Sequence, residues 1–180
     1  MNGKTSKLNV ILGDEEKVSV DQVNQNLLGL EFGTAWAEKT NGFAIKYIEH
    51  LTEVYGDSWY KGFLPEESFW NILLPKHGHS MEEKDDMVFF PIDTPLKDAV
   101  KKIKEIDSMR TKECLNNINY LKEEIKRDGF TSNIVLVVIN NTLKHVDGLH
   151  RLIAYAMLLE EGQQYKSIPV FLCDNTRGKE

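Results

Sequence analysis

The feature that most restricts the fold is a long apolar run and the turn and helix start directly after it. "NIVLVVIN" (residues 133–140) is almost wholly Val, Ile and Leu, the composition of a buried strand. Asn140 and Asn141 then mark a turn, "LKHV" reads as a short second strand, and "DGLHR" opens an oily helical pattern, "LIAYAML". Gly162 ends that helix and "SIPVFLC" reads as a last strand. Upstream, "MVFFPID" is a further strand. "TPLKDAVKKIKEI" comes next as a helix, with Thr94 as N-cap and Pro95 at its first position. "DSMRTKE" interrupts, and a second helix runs through Leu115, Ile118, Leu121 and Ile125, with Lys126 and Arg127 in its last turn and Gly129 closing it. The order β-α-α-β-β-α-β predicts an α+β domain, a mixed sheet flanked by helices.

The chain divides near "PKHGHSMEEKDDM" (75–87), where Pro75, Gly78 and a charge cluster predict an exposed loop. Before it, "NGFAIKYIEHLTEVYG" carries Ala44, Ile48, Leu51 and Tyr55 at helical spacing, with Asn41 as the expected N-cap and Gly56 as the stop. "LPEESFWNILL" reads as a short helix opened by Pro65. "VDQVNQNLLGL" reads as another, and "LNVIL" and "KVSV" as strands. Residues 1–80 are therefore expected to form a helix-rich N-terminal extension, and residues 87–180 a separate domain.

Composition removes several functions. The 180 residues carry a net charge of −6, with lysines and acids interspersed as in "YLKEEIKRDG". A protein that grips nucleic acid through its phosphates shows a basic excess or stripe, so nucleic acid is not an expected partner. No run reaches the ~20 apolar residues that span a bilayer, and the start lacks a secretory pattern. The protein reads as cytoplasmic, with no membrane association. Cys114 and Cys173 stand far apart and in no metal-type spacing, and both are expected to be plain thiols.

The chemistry is concentrated in residues 147–151. A helix start presents backbone N–H groups without partners in the helix and about half a positive charge, a ready anion site. If Asp147 caps the helix, Gly148 lets a ligand oxygen approach the backbone, and Arg151 offers phosphate a fork of donors. His150 can donate to an oxyanion or shuttle a proton, and Asp147 can hold a magnesium-bound water or accept a hydroxyl proton. This set suits phosphate recognition or phosphoryl transfer. The same residues also admit a plain structural use: Asp147 as a cap, Arg151 in solvent and His150 on a buried carbonyl. If the site is functional, Arg151→Ala is expected to weaken nucleotide binding and leave the fold intact.

"HVDGLHRLIAYAML…IPVFLCD", preceded by "CLNNINYLKEEIKRDGFTSNIVLVVIN", resembles the ParB/sulfiredoxin-like superfamily. It most resembles the branch with Asp-Gly-x-His-Arg between a strand and a helix, which includes free serine kinases and ParB-like proteins. The resemblance covers roughly residues 87–174. It implies ATP or ADP phosphates resting on the helix start at Gly148 and Leu149, contacted by His150 and Arg151, with Asp147 near the transfer site. It further implies a catalytic carboxylate from the first strand-to-helix region. Asp93 stands there, with Asp98 and Asp107 further along, and none matches the family pattern cleanly. Arg110, ahead of the second helix where similar chains often have an arginine, could reach the phosphates from across the sheet, with a solvent-facing arginine as the favoured reading. The sulfiredoxin cysteine is replaced by Leu149, so sulfinic acid reduction is not expected. The DNA-segregation proteins carry a more arginine-rich box and a further helical domain.

The resulting expectation is a nucleotide-binding protein, in sharper form a Mg²⁺-assisted phosphotransferase acting on a small hydroxyl compound such as a free amino acid. The alternatives are a non-catalytic nucleotide-sensing or interaction module and a ParB-like nucleic-acid-binding or nuclease protein. Magnesium is inferred from the chemistry, and no residues are assigned as metal ligands. His77 and His79 have a spacing compatible with metal binding on a strand, but in a glycine-containing segment a surface loop is the expected setting. Trp36, Trp59, Trp70 and Tyr60 are expected to be core.

Overall fold

A computed structural model describes residues 10–28, 35–78, 88–105 and 111–177. The apolar run forms β7 (Ile134–Ile139), and a two-residue turn returns the chain along β8 (Thr142–Asp147). Asn140 and Asn141 both have positive φ (49° and 61°), as a turn matching the twist of a hairpin requires. Helix α6 (Leu149–Glu160) then carries the chain to β9 (Ile168–Cys173), which lies parallel to β7 on the side away from β8.

Strand β7 is apolar throughout because both of its faces are covered. Ile134, Leu136 and Val138 pack with α4 (Leu96–Glu105), α5 (Thr111–Asp128) and α6. Val135 and Val137 pack with α1 (Val20–Leu28) and α2 (Ala35–Tyr55) on the other side. The result is a sheet between two helical layers.

The remaining strands come from the first part of the chain. β1 (Gly13–Val18) pairs with β2 (Trp59–Leu64), which pairs antiparallel with β9. On the far side, β3 (Leu73–Leu74) lies parallel to β8, and β6 (Thr94–Pro95) pairs with β3. The seven-stranded order is β1-β2-β9-β7-β8-β3-β6. A separate pair joins β4 (His77–Gly78) to β5 (Val88–Phe90). The expected α+β class with a mixed sheet is the observed one.

Several local expectations change. The boundary near residue 80 does not separate two folding units, since β1, β2 and β3 belong to the same sheet as β7–β9. Helix α2 begins at Ala35, so Asn41 lies inside it; Gly56 does stop it, with φ 78° and its N–H on the Thr52 carbonyl. Thr94 is a strand residue whose hydroxyl donates to the Pro91 carbonyl, and α4 starts after Pro95. α3 is short (Glu66–Phe69), and the leucines after it form β3. Residues 10–12 of "LNVIL" are not a strand. Trp59 is core as expected, in the α1–α2 layer, whereas Trp70 and Tyr60 are partly buried against the core on the α4–α6 side; the side chain of Trp36 lies outside the described residues. Among the described residues, no helix is long and apolar enough to cross a membrane.

Candidate functional site

The site is built at the junction of β8 and α6. Gly148 is the N-cap of α6 and adopts φ 97°, a conformation L side chains rarely take. A Cβ there would lie 2.4 Å from Ile134 Cδ1 and 3.1 Å from Arg151 Nη2. The glycine is thus required by backbone shape and by close packing.

Asp147 precedes the cap, contrary to the expectation that it is the cap. Its carboxylate accepts from Arg151 Nη2 at 3.0 Å. The Arg151 guanidinium also donates to the Ser132 carbonyl at 3.1 Å and to the Ser132 hydroxyl. Arg151 therefore ties the start of α6 to the loop that enters β7 and is not a solvated side chain. Burial raises the Asp147 pKa against the opposing pull of Arg151, and lowers that of Arg151 against the opposing pull of Asp147. Each charge is desolvated and each stabilises the other.

Three histidines gather beside this pair. His150, in the first turn of α6, meets the His77 ring edge-on with centroids 5.1 Å apart. His77 belongs to β4 and packs against Phe90 of β5, so it is not the loop residue expected from its glycine-containing segment. Its Nε2 lies 3.4 Å from the Sγ of Cys114, in the first turn of α5. His145 of β8 keeps both ring nitrogens buried with no hydrogen-bond partner. Burial lowers the His150 pKa to about 4. Burial, then the charges of Arg151, His150 and His77, lower that of His145 to about 3. Both imidazoles are neutral near pH 7. Burial also raises the Cys114 thiol to about 11.

Among the described residues, the expected carboxylates Asp93 and Asp98 do not join this group. Asp93 is exposed and held by Lys144 Nζ at 2.8 and 3.0 Å. Lys144 stands opposite Val137, whose side chain belongs to the α1–α2 layer, so Asp93 is engaged on the other face of the sheet from α6. Asp98 is exposed on α4. Arg110, Asp107 and His79 lie outside the described residues. Leu149 is partly buried against the α4–α6 core. Two surface clefts, of about 380 and about 350 Å³, open elsewhere, and no residue of 147–151 lines either.

Sequence reasoning passed over His145, set His77 in a surface loop and took Cys114 as a plain thiol, without bringing the three together. His145 had a usable signal, because it alternates with Leu143, an inward position of β8 that is 1 % exposed. His77 and Cys114 had none, because their partners are brought from distant elements by the tertiary fold. In comparisons with protein-family models, with curated proteins and with solved structures, nothing matches this chain.

Proposed function

We propose that the chain binds a phosphorylated small molecule, in the first place a nucleotide such as ATP or ADP, at the β8–α6 turn. The observation that carries this reading is Gly148–Leu149–His150 at the positive end of a twelve-residue helix, beside partly buried histidines, of which His145 has both ring nitrogens buried without a partner. The resemblance of "HVDGLHR" to the Asp-Gly-x-His-Arg branch of the ParB/sulfiredoxin-like superfamily supports it. In this reading phosphate oxygens meet the N–H groups of the first helical turn and the His150 ring. Arg151 serves mainly to position the turn, since its donors are committed to Asp147 and Ser132.

In this reading Asp147 would be the residue to hold, through its carboxylate, a magnesium ion or its bound water carried by the nucleotide. When bound, magnesium would neutralise charge on the phosphates. Transfer to a small hydroxyl compound, such as a free amino acid, is the narrower form of the proposal. The pairing of Asp93 with Lys144 favours the second reading, ligand binding without turnover, because it withholds the expected base. A reducing, cytoplasmic setting accords with the two free thiols.

Calorimetric titration of the full chain with ATP, ADP and CTP, with and without magnesium, tests binding. His150→Ala should weaken it roughly tenfold, the loss expected for one hydrogen bond to a charged group. Absence of heat and of thermal stabilisation with all three nucleotides ends the reading. Incubation of a binding-competent protein with free amino acids then separates transferase from sensor.

A further inference from the structure

The donors around His150 are of the wrong kind for magnesium and of the right kind for a softer cation. Two imidazoles and a thiol converge from β4, α5 and α6, and one donor atom from each of His77, Cys114 and His150 lies within 4.8 Å of the other two. We propose that His77, Cys114 and His150 bind a divalent d-block cation of the zinc class and leave a fourth coordination position open.

The chemistry fits at each point. Zinc takes nitrogen at about 2.0–2.1 Å and thiolate sulfur at about 2.3 Å, so tetrahedral N···S separations fall near ~3.6 Å. His77 Nε2 and Cys114 Sγ are already 3.4 Å apart. The widest spacing the group allows, 4.8 Å, exceeds that tetrahedral separation by roughly an ångström, which is within the reach of a side-chain rotation. Magnesium prefers oxygen, and this group contains none.

The scaffold is rigid where it matters. β5 braces His77 through Phe90, and the Arg151–Asp147–Ser132 ties fix the first turn of α6 on which His150 stands. An ordinary thiol–imidazole hydrogen bond would account for His77 and Cys114, but not for three donors together. Three protein donors with one open position is the arrangement of catalytic rather than structural zinc sites. This site does not rest on nucleotide binding, and it is tested with none present.

The experiment uses the full chain, reduced and stripped of metal with a chelator, then titrated with cobalt(II). One equivalent should produce intense tetrahedral d–d bands in the visible and a thiolate-to-cobalt charge-transfer band in the near ultraviolet, both removed by added zinc. Cys114→Ser should abolish the charge-transfer band, and His77→Gln should lower cobalt affinity by roughly tenfold or more. Far-ultraviolet circular dichroism checks each variant for its fold. If Cys114→Ser does not fold, the His77→Gln titration decides. Weak octahedral spectra in the parent protein overturn the proposal. So does a charge-transfer band that survives Cys114→Ser, or unchanged affinity in folded His77→Gln.

Discussion

At the scale of single residues, Arg151 is the position where chemistry read from the sequence and chemistry read from contacts differ most. Its side chain is 16 % exposed and that of Asp147 is 18 % exposed, so this is a desolvated ion pair, not a surface one. Removing one partner leaves the other charge buried, which costs about 3–5 kcal/mol. Arg151→Ala should therefore lower the urea midpoint sharply, against the sequence expectation of an intact fold. Ser132→Ala should cost only about 1 kcal/mol, the worth of a single hydrogen bond. An unchanged midpoint in Arg151→Ala would show that the pair is not formed in solution. The histidines make a pH prediction for the metal-free protein. His145 and His150 have folded pKa values of about 3 and about 4, below the ordinary 6.5. Between 6.5 and about 4 the unfolded chain binds protons that the folded chain refuses, so stability falls with pH, by up to about 1.4 kcal/mol per pH unit for each histidine. Asp147, with its pKa raised, binds a proton more readily when folded and offsets part of this loss at the acidic end. Unfolding curves at successive pH values check the slope, and a flat profile over that window would place both rings in solvent. The residue types in 147–151 were legible because each has a distinctive chemistry. Their partners were not, because Ser132 and His77 lie 19 and 73 positions from Arg151 and His150 in the chain.

At the scale of elements, the β8–α6 junction depends on one glycine for two separate reasons. Gly148→Ala places a methyl group against Ile134 Cδ1 and forces φ 97° on an L residue. Crowding costs about 1–3 kcal/mol and the left-handed backbone about 1–2 kcal/mol, so the substitution should destabilise by several kcal/mol. Adding Ile134→Ala should recover only the part due to crowding. The double-mutant cycle separates the two contributions, and full additivity would mean the contact with Ile134 is not the obstacle. Elements with a strong local pattern were readable in advance: β7 through its unbroken apolar run, the hairpin through Asn140 and Asn141, α5 through its period and its closing Gly129. β2 was not read as a strand, because Lys61 and Gly62 interrupt its apolar residues. The structure supplies the reason for Gly62. A Cβ there would lie 2.7 Å from the Gly13 carbonyl oxygen, so the close approach of β1 selects the glycine. Such an approach is tertiary and leaves no local signature.

At the scale of the whole molecule, the sheet settles how the two halves of the chain depend on each other. β9 is the neighbour of β7 on one side and of β2 on the other, and β2 pairs with it from Trp59 opposite Cys173 to Leu64 opposite Ile168. β3, also from the first half, covers the edge of β8 that leads into the candidate site. The fragment 87–180 would lose Trp59, Leu64, Phe69, Ile72 and Leu74, all at most 1 % exposed. At about 1.5–3 kcal/mol for each large buried side chain, that loss is as large as the roughly 5–15 kcal/mol by which a folded protein is stable at all. It would also leave two strand edges bare in the middle of the sheet. The fragment should therefore bind a hydrophobic dye and melt without a cooperative transition, and the cobalt site should be lost with it because His77 is absent. A sigmoidal urea transition in the fragment would restore the division near residue 80. The dependence bears directly on function: β4, in the same half of the chain as β1, β2 and β3, brings His77 to His150, so the first half that completes the sheet also completes the candidate site.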